Sequence, residues 1–188
     1  GSLSSSIQLS LYLTDLIVTS DGSKIYIGER EGKLYRVDTA TFTVEHTKTL
    51  KGTLNALKLS PDESTLYLIS NDSSEQLYRV NTSNWAHEYI YFSNETLLDL
   101  HLNSDGSQLL VATKSYLWSF ETATLDSQQK IELFYPAGNI KVNSSETYAY
   151  ISGQWGLEKI ALKQNDLDSD GHHDECDVFP NDETEWQD

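Results

Sequence analysis

Five aspartates near the C-terminus are spaced for metal chemistry: Asp166, Asp168, Asp170, Asp174 and Asp177, with Gly171 after the third. Alternating carboxylates so close together repel one another unless a cation sits among them. An all-oxygen donor set of carboxylates and backbone carbonyls suits calcium, which takes six to eight such ligands. Against the twelve-residue calcium loop, Asp166, Asp168 and Asp170 fall at positions 1, 3 and 5, and Gly171 supplies the sharp turn at position 6. His172 offers its backbone carbonyl at position 7, Asp174 stands at position 9 and Asp177 closes the set at position 12. The expected cofactor is therefore Ca2+. The other reading of such a charge run is a solvated acidic tail.

Position 12 usually carries a bidentate Glu, and no amphipathic helix flanks the run, so a helix–loop–helix site is not expected. The residues that follow include Val178-Phe179-Pro180, Asp182 and Glu185-Trp186-Gln187-Asp188. With the aspartates they resemble the bacterial form of the thrombospondin type 3 repeat over residues 166–188. That resemblance implies calcium wrapped by repeats that form stiff extracellular stalks or linkers. Asp188 would be the first ligand of a further repeat. Cys176, the single cysteine, is either a bridge to such a neighbour or a small thiol. Its carboxylate neighbours suppress the thiolate, so it is a poor nucleophile.

Charge supports a division of the chain at about residue 164. The net charge is −16, and residues 166–188 hold ten acidic groups with no Lys or Arg. The remainder has 19 acidic against 13 basic residues, a net −6. With no basic patch to displace counterions, nucleic acid is not an expected partner. No apolar run is long enough to span a bilayer as a helix, so no membrane insertion is expected in this segment. The chain has no Met and opens Gly1-Ser2, which reads as an excised segment of a longer protein.

The elements before the tail are repeats. Segments around Asp21-Gly22, Asp62-Glu63, Asp105-Gly106 and Ser145-Glu146 are variants of one another at spacings of about 40 residues, the period of a four-stranded propeller blade. Each unit has an alternating apolar strand, an Asx turn, and further strands rich in Tyr, Ile, Leu and Val. Outer strands are expected at 44–50, 87–92 and 129–134. The fold class is all-β: about four propeller blades over residues 1–163, then an irregular calcium-binding segment over 164–188. The fourth unit lacks an outer strand, and residues 7–13 read as an orphan one. Either that strand completes the last blade and closes a ring, or the blades belong to a larger propeller. The repeats resemble the YVTN-type bacterial propellers over residues 14–163, which implies fold more than function, because the scaffold carries many activities.

Asp15, Asn55, Asp99 and Asn139 stand where the innermost strands open. Convergence there would make a small acidic and amide ring able to take a cation or sugar hydroxyls; the alternative is that these residues satisfy free backbone groups. The five histidines form no recognisable zinc or catalytic set. Tyr26, Tyr35, Tyr67 and Tyr78 recur at equivalent positions, which points to packing between blades. Trp85 and Trp155 fall outside the repeat and are the places to look for carbohydrate. The expected protein is an extracellular or cell-surface calcium binder (a periplasmic one is the variant), in which the propeller binds or adheres to a protein or carbohydrate. The alternative is a lactonase-like hydrolase completed by further blades.

Overall fold

The computed structural model describes residues 6–9, 12–71 and 75–162. Fifteen strands form four antiparallel sheets, each a meander in chain order. Blade 1 is β1 (Leu13–Val18), β2 (Lys24–Glu29), β3 (Lys33–Asp38) and β4 (Thr43–Thr49). Blade 2 is β5 (Thr53–Leu59), β6 (Thr65–Asn71), β7 (Gln76–Asn81) and β8 (His87–Tyr91). Blade 3 is β9 (Leu97–Leu102), β10 (Gln108–Thr113), β11 (Tyr116–Glu121) and β12 (Ser127–Glu132). Blade 4 has three described strands, β13 (Ala137–Val142), β14 (Tyr148–Gly153) and β15 (Leu157–Ala161). The expected outer strands are all present, although β12 ends before Phe134, which is 92% exposed.

Both faces of a central blade are buried, so the strand signal is apolar on both sides. In blade 2, Leu57, Leu66, Leu68 and Tyr78 pack forward against blade 1. Ala56, Tyr67, Ile69 and Leu77 pack backward against blade 3. A third core joins blades 3 and 4 through Leu110, Leu117, Ile140 and Ile151. Tyr26, Tyr35, Tyr67 and Tyr78 are all buried; Tyr26, Tyr67 and Tyr78 pack between blades, whereas Tyr35 packs with Leu9 on the forward face of blade 1. One repeat position differs in blade 1. Leu57, Leu100 and Ile140 are at most 2% exposed, while their equivalent Leu16 is 58% exposed, covered by no described blade.

Residues 6–9 form no strand. Leu9 instead packs beside Ile25 against Ile27, Tyr35 and Val37 on the forward face of blade 1. Among the described residues β15 pairs only with β14. Of the orphan strand expected at 7–13, the described residues 7–9 form no strand and Leu9 lies over blade 1, while β1 starts at Leu13; residues 10 and 11 lie outside the described residues.

The turns between the first two strands of each blade follow from their sequence. The Asp21 carboxylate accepts from the Ser23 N–H (2.9 Å) and the Thr19 hydroxyl (2.7 Å). Asp62 does the same with Ser64 N–H (3.1 Å) and the Ser60 hydroxyl. Asp105 accepts from Ser107 N–H at 2.8 Å. These Asx turns hold the aspartates ionised: Asp21 and Asp62 titrate below the usual carboxylate range because donors converge on them. The next residue takes a left-handed conformation, with φ of 71° at Gly22, 59° at Glu63, 76° at Gly106 and 57° at Glu146.

Candidate functional site

All four innermost strands carry a β-bulge where they open. The residue just after the bulge is Asp15, Ala56, Asp99 or Asn139 in blades 1 to 4. Asp15 accepts from its neighbour Leu16 N–H (2.8 Å) and from Leu57 N–H (2.8 Å) on the next blade. Asp99 repeats this with Leu100 N–H (2.8 Å) and Ile140 N–H (3.0 Å). Each half-buried carboxylate is therefore a clasp between two blades, with one oxygen for each. A carboxylate is a strong acceptor for such N–H groups, because its charge shortens and strengthens the bond.

The structure gives the four expected ligand-binding residues separate roles at the openings of the inner strands. Asp15 serves the blade 1–2 joint and Asp99 the blade 3–4 joint. Asn55 is the bulged residue of blade 2 and Asn139 the exposed post-bulge residue of blade 4. No hydrogen bond links any two of them among the described residues. The carboxylates keep lone pairs, but both oxygens already face backbone donors.

A second clasp follows the same rhythm. The Glu63 carboxylate reaches back to Ser20 N–H on blade 1, and Glu146 reaches back to Ser104 N–H (2.6 Å) on blade 3. Blades 1 and 2 are thus tied twice by carboxylates, and so are blades 3 and 4. The joint between blades 2 and 3 uses other means. The Asn71 amide exchanges both of its hydrogen bonds with the Leu97 backbone, and Arg79 Nη1 donates to the carbonyls of Thr122 and Ala123. The alternation Asp, Ala, Asp, Asn with Gly, Glu, Gly, Glu is visible in the sequence, yet its meaning needs partners some forty residues away.

The histidines have separate roles. His46 stacks on Trp85 with ring centres 4.1 Å apart, and His87 lies against Tyr78. His101 faces the blade 3–4 joint with Nε2 buried and lacking a hydrogen-bond partner among the described residues. Burial pushes its pKa down, helped by Lys58 and Lys141 and opposed by Glu146 and Asp99. An unfolded histidine takes up its proton around pH 6.5 and the folded one only below that. The unfolded state then binds more protons as pH falls below about 6.5, so this residue withdraws stability on acidification. In the His101→Leu variant the fall in melting temperature between about pH 7 and 5 should be shallower than in the parent. Parallel curves would refute the assignment.

Trp85 is not a surface platform. It is 8% exposed, lies near Tyr26 and beneath the Arg36 guanidinium, and holds the Lys48 ammonium on its carbonyl. Trp155 is 67% exposed. No three His, Cys, Asp or Glu side chains among the described residues gather closely enough to hold a metal ion. Asp166, Asp168, Asp170, His172, Asp174 and Asp177 lie outside the described residues. No described helix is long and apolar enough to cross a membrane.

No family model matches the chain, and no curated protein does. Solved structures do. The hydrazine synthase of Kuenenia stuttgartiensis superposes with a TM-score of 0.70 at 16% identity, covering 80% of this chain and 45% of that one. The Cps50 (Swd1) β-propeller domain of Myceliophteria thermophila gives 0.67 at 14% identity, covering 80% and 54%. This chain spans about half the length of these matched chains. At such identities the likeness speaks for the fold alone, and together with four radial meanders and their inner-strand clasps it makes residues 13–161 a run of β-propeller blades.

Proposed function

We propose that this chain is a calcium-binding module that works outside the cytoplasm, with its propeller blades binding or adhering to a protein or carbohydrate at the end of a calcium-stiffened stalk. The observation that carries the reading is a spacing. Asp166 stands five residues beyond the end of β15, and the donors from Asp166 to Asp177 follow the order of a calcium loop. Their all-oxygen chemistry fits Ca2+ and fits zinc poorly, since zinc sites favour Cys and His. When bound, the ion neutralises carboxylates that otherwise repel one another. A joint as short as residues 162–165 then leaves little freedom between the last blade and the stalk.

Support for binding over catalysis comes from the blades. The acidic residues best placed to act as general acids or bases, Asp15 and Asp99, spend their oxygens on backbone N–H groups of two different joints. A lactonase-like hydrolase, the alternative, would have to free these carboxylates from their backbone donors before using them.

The test is a calcium titration of the full chain. Calcium at up to millimolar levels should raise the melting temperature and slow proteolysis after residue 163, and the Asp168→Ala, Asp170→Ala double variant should abolish both effects. Identical proteolysis with calcium and with chelator would overturn the proposal.

A further inference from the structure

The turn between the third and fourth strands of a blade carries a plug for the groove toward the preceding blade. The residue at this turn in blades 1 to 3 is Phe42, Trp85 or Leu125, each left-handed, with φ of 53°, 63° and 60°, and Trp85 and Leu125 are the plugs. The Trp85 N–H donates to the Asn81 carbonyl (2.9 Å) and the Leu125 N–H to the Glu121 carbonyl (2.8 Å), so the two turns are alike. Trp85 fills the groove between blades 1 and 2 and joins its core. Leu125 takes the same place between blades 2 and 3 but has no ring.

Beside Leu125 the groove opens into a cavity of about 510 Å³, within the range that holds a small ligand. Its floor is aromatic. Trp118 stacks on Phe120 at 6.1 Å and 16°, and Phe92 meets both edge-on at 5.7 and 5.8 Å. Trp118 Nε1 is buried and has no hydrogen-bond partner among the described residues. The Lys130 ammonium, on the paired residue of β12, is held 4.6 Å from the Trp118 ring and 3.6 Å from that of Tyr116. Glu95 and Asp126 also line the cavity.

We infer that this cleft between blades 2 and 3 binds a neutral pyranose sugar. A pyranose has one apolar C–H face and a girdle of hydroxyls, and the cleft offers both counterparts. Its C–H face stacks on Trp118 in the space that an indole fills one groove earlier. One hydroxyl oxygen accepts from Trp118 Nε1–H, a buried donor that costs about 1–3 kcal/mol while unpaired. Lys130 donates to a second hydroxyl, and Glu95 and Asp126 accept hydroxyl protons. With one cation and two anions lining the cavity, an anionic ligand is disfavoured. This assignment rests on the propeller being a binding module and names the class of its ligand; it does not involve calcium.

The test follows indole N–H resonances of the full chain in chelator while glucose, galactose, mannose, N-acetylglucosamine and their trisaccharides are added. The Trp118 signal, identified by its loss in Trp118→Phe, should shift with at least one sugar, at a Kd between about 0.1 and 5 mM, the affinity of a small contact area. Lys130→Ala should weaken binding about tenfold, equivalent to about 1.4 kcal/mol. Leu125→Trp, which installs the plug of the neighbouring groove, should abolish binding. If that variant fails to fold, Asp126→Asn with Glu95→Gln takes its place, with an expected loss of at least about tenfold. No shift of Trp118 by any sugar at 50 mM (about ten times the upper Kd), binding untouched by these variants, or a response to benzyl alcohol alone would each overturn the assignment. Running it in chelator separates it from the stalk: sugar binding without a calcium effect sinks only the stalk, and the reverse sinks only the cleft.

Discussion

Asp99→Ala is expected to lower the unfolding free energy by about 2–4 kcal/mol, read as a lower urea midpoint at an unchanged slope. The carboxylate accepts from Leu100 N–H and Ile140 N–H on two strands of different blades. Hydrogen bonds to a charged acceptor contribute about 1.5–3 kcal/mol each, and partial exposure reduces that. The loss also takes from both N–H groups the acceptor that they have in the native state. Asp99→Asn keeps one carbonyl oxygen and should fall about halfway. Asp15→Ala should behave alike, and because the two clasps lie at separate joints their effects should add. A loss below about 1 kcal/mol for Asp99→Ala would mean that packing alone holds blades 3 and 4 together.

Gly32→Ala is expected to cost about 3–5 kcal/mol, against about 1 kcal/mol for Gly22→Ala. Both residues are left-handed, with φ of 81° and 71°, and an L side chain there costs about 1–2 kcal/mol. They differ in surroundings. A Cβ on Gly32 would lie 2.4 Å from the Leu50 carbonyl oxygen and 2.9 Å from that of Gly52, whereas a Cβ on Gly22 meets nothing within 4 Å. Backbone cannot give way as a flexible side chain can, so overpacking adds to strain only at Gly32. Thermal unfolding of both variants side by side decides it. Equal losses would show that the hairpin of blade 1 simply shifts aside.

Strand positions and turns were legible because each depends on neighbours in sequence. Alternation marked the strands, and Asp21, Asp62 and Asp105 announced turns that they close with their own side chains. Features that depend on neighbours in space were not. Asp15 and Asp99 drew attention as acidic residues at strand openings, but the N–H groups that use them lie 42 and 41 residues away. Trp85 looked like a loop residue because left-handed turns break the repeat pattern, and its indole turned out to be a plug between blades. The cavity beside Leu125 could be anticipated only by knowing that a leucine there replaces a ring. Residues 6–9 misled through composition: their alternation suits a strand, yet Leu9 covers a bare sheet face rather than pairing with an edge. The aspartates proposed to hold calcium are the reverse case, read from spacing alone and outside the described residues.

The alternation of clasps has a consequence for counting. Aspartate-bearing blades 1 and 3 each tie to a successor that lacks the aspartate and carries the backward-reaching glutamate. The unit that repeats is therefore a couple of blades, about 84 residues from Asp15 to Asp99. A closed ring built throughout on that rhythm must hold an even number of blades. In an odd-numbered ring two blades of one type would meet at a single seam, with either a surplus carboxylate or a missing one, and that seam would be where the circle parts first.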